Sequence, residues 1–179
     1  MSIPGSSNAL MLSAADEAVY SVERSLRFNN DDSPNLSLTP SFNGNRTTWT
    51  WSAWVKFSSP AADVSSPRVL FQARHAGASA FNNYHKILIN VDGHIDIDYR
   101  NSGVVTSRLV TTASFLDYSA WYHVVYAFDT TQVTATDRQR LYINGTEITS
   151  FTTQTSPAQN DTSIINEAGR EHYLSDPAS

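Results

Sequence analysis

From Ser25 onward the chain is written in short apolar runs separated by turn residues, at the even spacing of a β-sandwich or barrel. The longest run is Thr48–Phe57, where Trp49, Trp51, Ala53, Val55 and Phe57 share one face and Thr50, Ser52, Trp54 and Lys56 the other. The first of these faces is predicted to be core. Lys86–Val91 and His94–Arg100 flank Asp92-Gly93, and Leu141–Ile143 and Thr146–Phe151 flank Asn144-Gly145. Both dipeptides favour a two-residue type I′ turn, so each pair of runs predicts a hairpin. In the first hairpin Ile87, Ile89 and Val91 point one way, as do Ile95, Ile97 and Tyr99. Trp121–Asp129 is apolar on both faces, which predicts a central strand covered on both sides. Ser25–Phe28, Asn35–Leu38, Arg68–Ala73, Val104–Thr112 and His172–Leu174 complete the set of runs. The polar stretch after Phe151 reads as a long loop that carries Ile164-Ile165. Residues 1–24 follow neither period and read as an extended arm ahead of a sandwich over 25–179.

Composition removes several functions. With no cysteine the chain has no disulfide scaffold, no thiol nucleophile and no Cys-built metal centre. Twelve Lys and Arg stand against 17 Asp and Glu, with no basic run, so no nucleic-acid partner is expected. No apolar run nears the roughly 18 residues of a bilayer span, and Met1–Leu12 has neither the charged start nor the apolar core of a signal peptide. Neither a membrane partner nor secretion is expected. Ser and Thr make up about 23% of the chain and aromatics 11%, a balance that favours strands.

Three stretches carry a family resemblance: Trp49–Phe57, Trp121–Asp129 and Arg140–Ile148 resemble, in this order, the strands of laminin-G-like domains of the concanavalin A-like lectin and glucanase superfamily. That resemblance implies a jelly roll of two antiparallel sheets over roughly Ser25 to Leu174. Met1–Leu10, Ser25–Phe28 and Asp129–Arg138 are further similar to laminin-G-like proteins encoded by tailed bacteriophages, which are virion components. The role this implies is a non-enzymatic structural or adhesive part of a virion, a capsid decoration, tail or fibre component. Its partners would be other virion subunits, in a homo-oligomer, and a glycan of the host surface. The rival is a carbohydrate-binding module for host polysaccharide, and a more distant one a glucanase-like hydrolase. The family's chain usually continues past the position of Leu174 into closing strands, so the sandwich is expected to lack one. An open strand edge invites another chain, and the arm is the expected occupant or the means of docking, anchored by Ile3, Leu10, Leu12, Val19 and Tyr20.

Trp54 and Tyr99 are candidates for a platform that stacks on sugar rings, and the polar loop of Asn82, Asn83 and Tyr84 suits sugar hydroxyls. His94, Asp96, Asp98 and Arg100 alternate with the core face of their strand. Two carboxylates two residues apart on a strand lie about 6–7 Å apart, a spacing that could chelate Ca²⁺ or serve acid–base chemistry. The plainer reading is a solvated outer face of alternating charge, because no Asp-x-Asp-x-Asp-Gly loop supplies the remaining ligands. No cofactor and no catalytic residue is expected. The glucanase Glu-x-Asp-x-x-Glu strand is absent, and so is a Gly-x-Ser-x-Gly elbow. His123 reads as a satisfied sheet histidine.

Overall fold

The alternation in Thr48–Phe57 is realised as read, with Trp49 and Phe57 buried, Trp51, Ala53 and Val55 half-buried, and Thr50, Ser52, Trp54 and Lys56 exposed. The protein is described by a computed structural model over residues 25–28, 34–57, 67–75 and 82–175. Its strands are β1 (Leu36–Leu38), β2 (Thr48–Val55), β3 (Arg68–Arg74), β4 (Tyr84–Ile89), β5 (His94–Asn101), β6 (Val104–Ser114), β7 (Tyr122–Asp129), β8 (Gln139–Ile143), β9 (Thr146–Ile148), β10 (Phe151–Thr155) and β11 (Glu171–Leu174). They form a seven-stranded sheet in the order β1-β11-β3-β4-β5-β6-β10 and a four-stranded sheet in the order β2-β7-β8-β9. Every pairing among them is antiparallel. The result is an all-β jelly-roll sandwich of the concanavalin A type.

The core lies between the sheets. Trp49, Tyr126, Phe128 and Leu141 from the smaller sheet meet Ala73, Ile87, Ile95, Ile97, Tyr99 and Leu109 from the larger. At its centre sits the fully buried His85, stacked on Tyr99 at 4.8 Å and edge-on to Trp49, Tyr126 and Phe128 at 5.2, 5.9 and 5.4 Å. The segment between β10 and β11 is more than a loop: it inserts Ser163, Ile164 and Ile165 into this core. Ser163 Oγ lies 2.9 Å from His85 Nδ1, and Tyr99 donates its hydroxyl to the Thr162 carbonyl at 2.7 Å. Strand β7 is central as expected, between β2 and β8, but its outer residues His123, Val125 and Ala127 are only half-buried.

Three local readings need correction. Ser25–Phe28 is exposed and forms no strand, since nothing pairs with so short a run. Thr146–Phe151 is not one strand: β9 ends at Ile148, and two residues later the chain enters the other sheet as β10, paired with β6. The polar stretch after Phe151 therefore begins, as far as Thr155, as an edge strand whose solvent-facing threonines hide it from any apolar pattern, and only then becomes the expected loop. Asn144-Gly145 does form the type I′ turn, with φ of 51° and 80°. Ser102-Gly103 forms another, with φ of 52° and 79°, between β5 and β6. Asp92-Gly93 does not. Only Gly93 has positive φ, the Gly93 amide donates to the Asn90 carbonyl at 2.9 Å, and Asn90 pairs with His94. That is a three-residue loop, Val91–Gly93, of a type I turn closed by a left-handed glycine, and it leaves Val91 exposed in the turn.

Gly93 is needed for space as well as for conformation. A Cβ there would stand 2.5 Å from Leu116 Cδ2, whereas at Gly145 nothing lies within 4 Å. Both glycines have positive φ, so Gly93→Ala and Gly145→Ala should share the backbone strain, and overpacking should make Gly93→Ala worse by about 1 kcal/mol or more. Urea unfolding of the two variants measures this, and equal losses would show that Leu116 yields freely.

Among the described residues β1, β10, β2 and β9 each have a strand on one side only. The arm and its anchors Ile3, Leu10, Leu12, Val19 and Tyr20 lie outside the described residues.

Candidate functional site: the polar face of the seven-stranded sheet

Antiparallel register carries one line of side chains across the outside of the larger sheet. Tyr173 stands opposite Gln72, Gln72 opposite Lys86, Lys86 opposite Asp98, Asp98 opposite Arg108 and Arg108 opposite Thr155. At about 4.8 Å per strand, the five steps make a row about 24 Å long. A second row beside it runs Glu171, Arg74, Tyr84, Arg100.

Polar partners fix these side chains. Arg108 grips Asp96 with both ends of its fork, Nε to Oδ1 at 3.1 Å and Nη2 to Oδ2 at 2.7 Å. Asp98 Oδ2 accepts from Arg100 Nε at 3.0 Å and from the Tyr84 hydroxyl at 2.8 Å. Burial, and after it the hydrogen bond to Asp98, pushes the Tyr84 phenol well above its ordinary pKa, so it stays a donor. The Lys86 ammonium rests on the Tyr84 ring at 4.5 Å, and the Arg74 guanidinium on the Tyr173 ring at 4.6 Å. Tyr173 in turn donates to Glu171 at 2.7 Å.

Asp96 and Asp98 are 4% and 6% exposed, so the expected solvated comb is wrong for these two. The reason is cross-strand: Arg108 on β6 and Arg100 cover and neutralise them, and the pattern along β5 alone does not show this. The same geometry disfavours the calcium reading, because both oxygens of Asp96 and one of Asp98 already face guanidinium groups. No group of three or more His, Asp or Glu with metal-binding geometry occurs among the described residues.

Two polar groups in the row are left over. Gln72 has no exposure, and neither its amide oxygen nor its amide nitrogen has a hydrogen-bond partner. Asp98 Oδ1 is buried and equally unpartnered. Buried polar groups are nearly always satisfied, so these two, on β3 and β5 with Lys86 of β4 between them, are the exceptions in the row.

The structure brings Tyr84, Asp96 and Asp98 into this site and separates Trp54, Tyr99, Asn82 and Asn83 from it. Tyr99 is 2% exposed and faces the core, which rules it out of any surface platform. Burial pushes its phenol up to about 12. Trp54 is 56% exposed, stacked on His123 at 4.9 Å, on the outside of the four-stranded sheet. It therefore looks away from Tyr84, across the thickness of the sandwich. His123, bonded to Ser52 at 2.9 Å, belongs to that outer surface and not to the core. Asn82 and Asn83 brace the β5–β6 turn: the Asn82 carbonyl accepts from Gly103 and the Asn83 side chain from Ser102, each at 2.8 Å. Gln72 and Arg108 escaped the sequence reading. The available signal was a polar residue inside each apolar run, Gln72 after Val-Leu-Phe and Arg108 before Leu-Val.

A laminin-G family model described as concanavalin A-like lectin/glucanases superfamily matches residues 28–177. No curated protein sequence matches the chain. Among solved structures it is similar to the carbohydrate-binding module CBM40 of the Ruminococcus gnavus IT-sialidase, in a structure bound to α2,3-sialyllactose. The two share 13% identity with a TM-score of 0.53, over 80% of this chain and 79% of that one. It is also similar to the heptameric SAP-like pentraxin of Limulus polyphemus, at 13% identity and a TM-score of 0.51, over 82% of this chain. The match spans 59% of the pentraxin chain. At such identities the likeness is one of fold, and together with the family match it places the chain in the laminin-G family of the concanavalin A-like lectin/glucanases superfamily.

Proposed function

We propose that the domain is a non-catalytic carbohydrate-binding module that lays a glycan along the polar face of the seven-stranded sheet. The observation that carries this reading is the cross-sheet row, with its buried Asp98 Oδ1 and Gln72 amide lacking partners among otherwise paired side chains. Sugar hydroxyls both donate and accept, which suits a carboxylate oxygen and an amide on either side of Lys86. Tyr84, half-buried and held by Asp98, adds apolar ring surface at a fixed position, as a preformed ligand site requires. Support also comes from the fold, which the sialyllactose-bound CBM40 shares. Catalysis is disfavoured by the same pairs: with both oxygens of Asp96 held by Arg108 and one of Asp98 by Arg100 and Tyr84, these two carboxylates are not a free pair for glycoside hydrolysis.

Calorimetric titration with oligosaccharides tests the reading. Gln72→Ala and Tyr84→Ala should each weaken binding about tenfold, while Trp54→Ala, on the opposite face, should leave it unchanged. Loss with Trp54→Ala alone would move the site to the four-stranded sheet, and no binding to any glycan would refute the proposal.

The setting we propose for this binding is the surface of a phage particle, on the strength of the resemblance carried by Met1–Leu10, Ser25–Phe28 and Asp129–Arg138. Peptide mass spectrometry of purified particles should find the chain at fixed stoichiometry, and its absence would refute that setting.

A further inference from the structure

We infer that the polar face takes a neutral sugar, not one bearing a carboxylate or sulfate; this rests on the glycan reading above. Recognition of an anionic sugar calls for a guanidinium fork or an ammonium that is free to meet the anion. On this face both guanidinium groups of β5 and β6 already meet a carboxylate. Arg108 is bidentate to Asp96 and Arg100 is bound to Asp98. Arg74 and Lys86 lie over the Tyr173 and Tyr84 rings, and neither is free.

What the site leaves open has the opposite character. Asp98 Oδ1 is an acceptor on an ionised group, so it wants a donor, and a sugar carboxylate at that position would meet like charge. A hydroxyl would make a charge-assisted bond there instead. The Gln72 amide, aligned with Asp98 across Lys86, offers both a donor and an acceptor to a second hydroxyl. Two hydroxyls of one uncharged oligosaccharide, spaced to reach across β4, satisfy both groups. The formal net charge of −5 adds a field that further disfavours anions.

The test titrates the full chain with two sets of probes, cellopentaose and maltopentaose against 3′-sialyllactose and tetragalacturonate, at low salt and at physiological salt. A neutral probe should bind, with an affinity that changes less than about twofold between the two salts, because no net charge is neutralised on binding. Asp98→Asn keeps the shape and removes the charge, and it should weaken the neutral probe about tenfold. If Asp98→Asn fails to fold, Gln72→Ala, which breaks no ion pair, carries the test and should weaken the same probe. Binding of the anionic probes alone, tightening at low salt and improving with Asp98→Asn, would overturn the neutral assignment and leave the glycan reading standing. Failure of every probe in both sets would overturn the glycan reading and this inference with it.

Discussion

Acidifying the domain from pH 7 to pH 4 should remove on the order of 3 kcal/mol of its stability through His85 alone. Burial holds the His85 imidazole down to about 3, from an ordinary value of 6.5, because the charged ring would sit unsolvated among Trp49, Tyr99, Tyr126 and Phe128. The unfolded chain takes up that proton near pH 6.5, and the folded one does so only near 3. Stability is thus complete above pH 6.5 and falls by about 1.4 kcal/mol per pH unit below it, until the folded form also protonates. The titratable neighbours do not offset this. Burial raises the phenols of Tyr99 and Tyr126, so both are neutral throughout the range. His172, also lowered by burial, acts in the same direction, as do Asp129 and Glu167, whose carboxylates are held low mainly by hydrogen bonds to Thr131 and Arg170. The His85 contribution is isolated by subtraction. Urea midpoints of the wild type and of His85→Asn, followed from pH 7 to pH 4, should diverge in slope by about one proton. Parallel curves would mean that the folded core admits a charged imidazole.

Phe128→Ala should destabilise the domain by about 3–5 kcal/mol, since it empties the wall of the same cluster. The Phe128 ring has no exposure, stacks on Trp49 at 5.1 Å and meets His85 edge-on. The neighbours that would have to collapse into the gap come from both sheets, and their backbones are fixed by ladders, so little relaxation is open to them. The two effects are coupled. A cavity beside His85 lets water approach the ring, raises its pKa in the folded state, and so flattens the acid slope of the variant. Thermal unfolding at two pH values measures both. A loss below about 1 kcal/mol at neutral pH would show that the cluster repacks.

Period-two alternation was enough to place β2, β4 and β5 and to assign their core faces, because each has one face against the other sheet; β7, apolar on both faces, was placed as a central strand without a single core face. It failed where that condition fails. Strand β10 is an edge with threonines outward, and Ser25–Phe28 has apolar residues but no strand partner among the described residues. The turn at Asp92-Gly93 shows a subtler limit: the glycine was identified, but loop length is set by the pairing of Asn90 with His94, which no dipeptide encodes. At the site, Tyr84, Asp96 and Asp98 were picked out singly. Their union with Gln72 and Arg108 depends on register between four strands, and a sequence lists neighbours along a strand but not across it. Tyr99 was assigned both to a core face and to a surface platform, and its burial decides for the former.

The pairing of β1 with β11 bears on how the protein folds. Leu36 faces Leu174, so among the described residues the first strand pairs with the last one alone. Strand β11 must itself be held by β3 before it can offer an edge. Local hairpins such as β4–β5 and β8–β9 can form within microseconds, but this seam waits for nearly the whole chain to be brought together. Domains dominated by such distant pairings fold in milliseconds to seconds. On a ribosome, the first of the described strands to emerge would be the last of them to find its place.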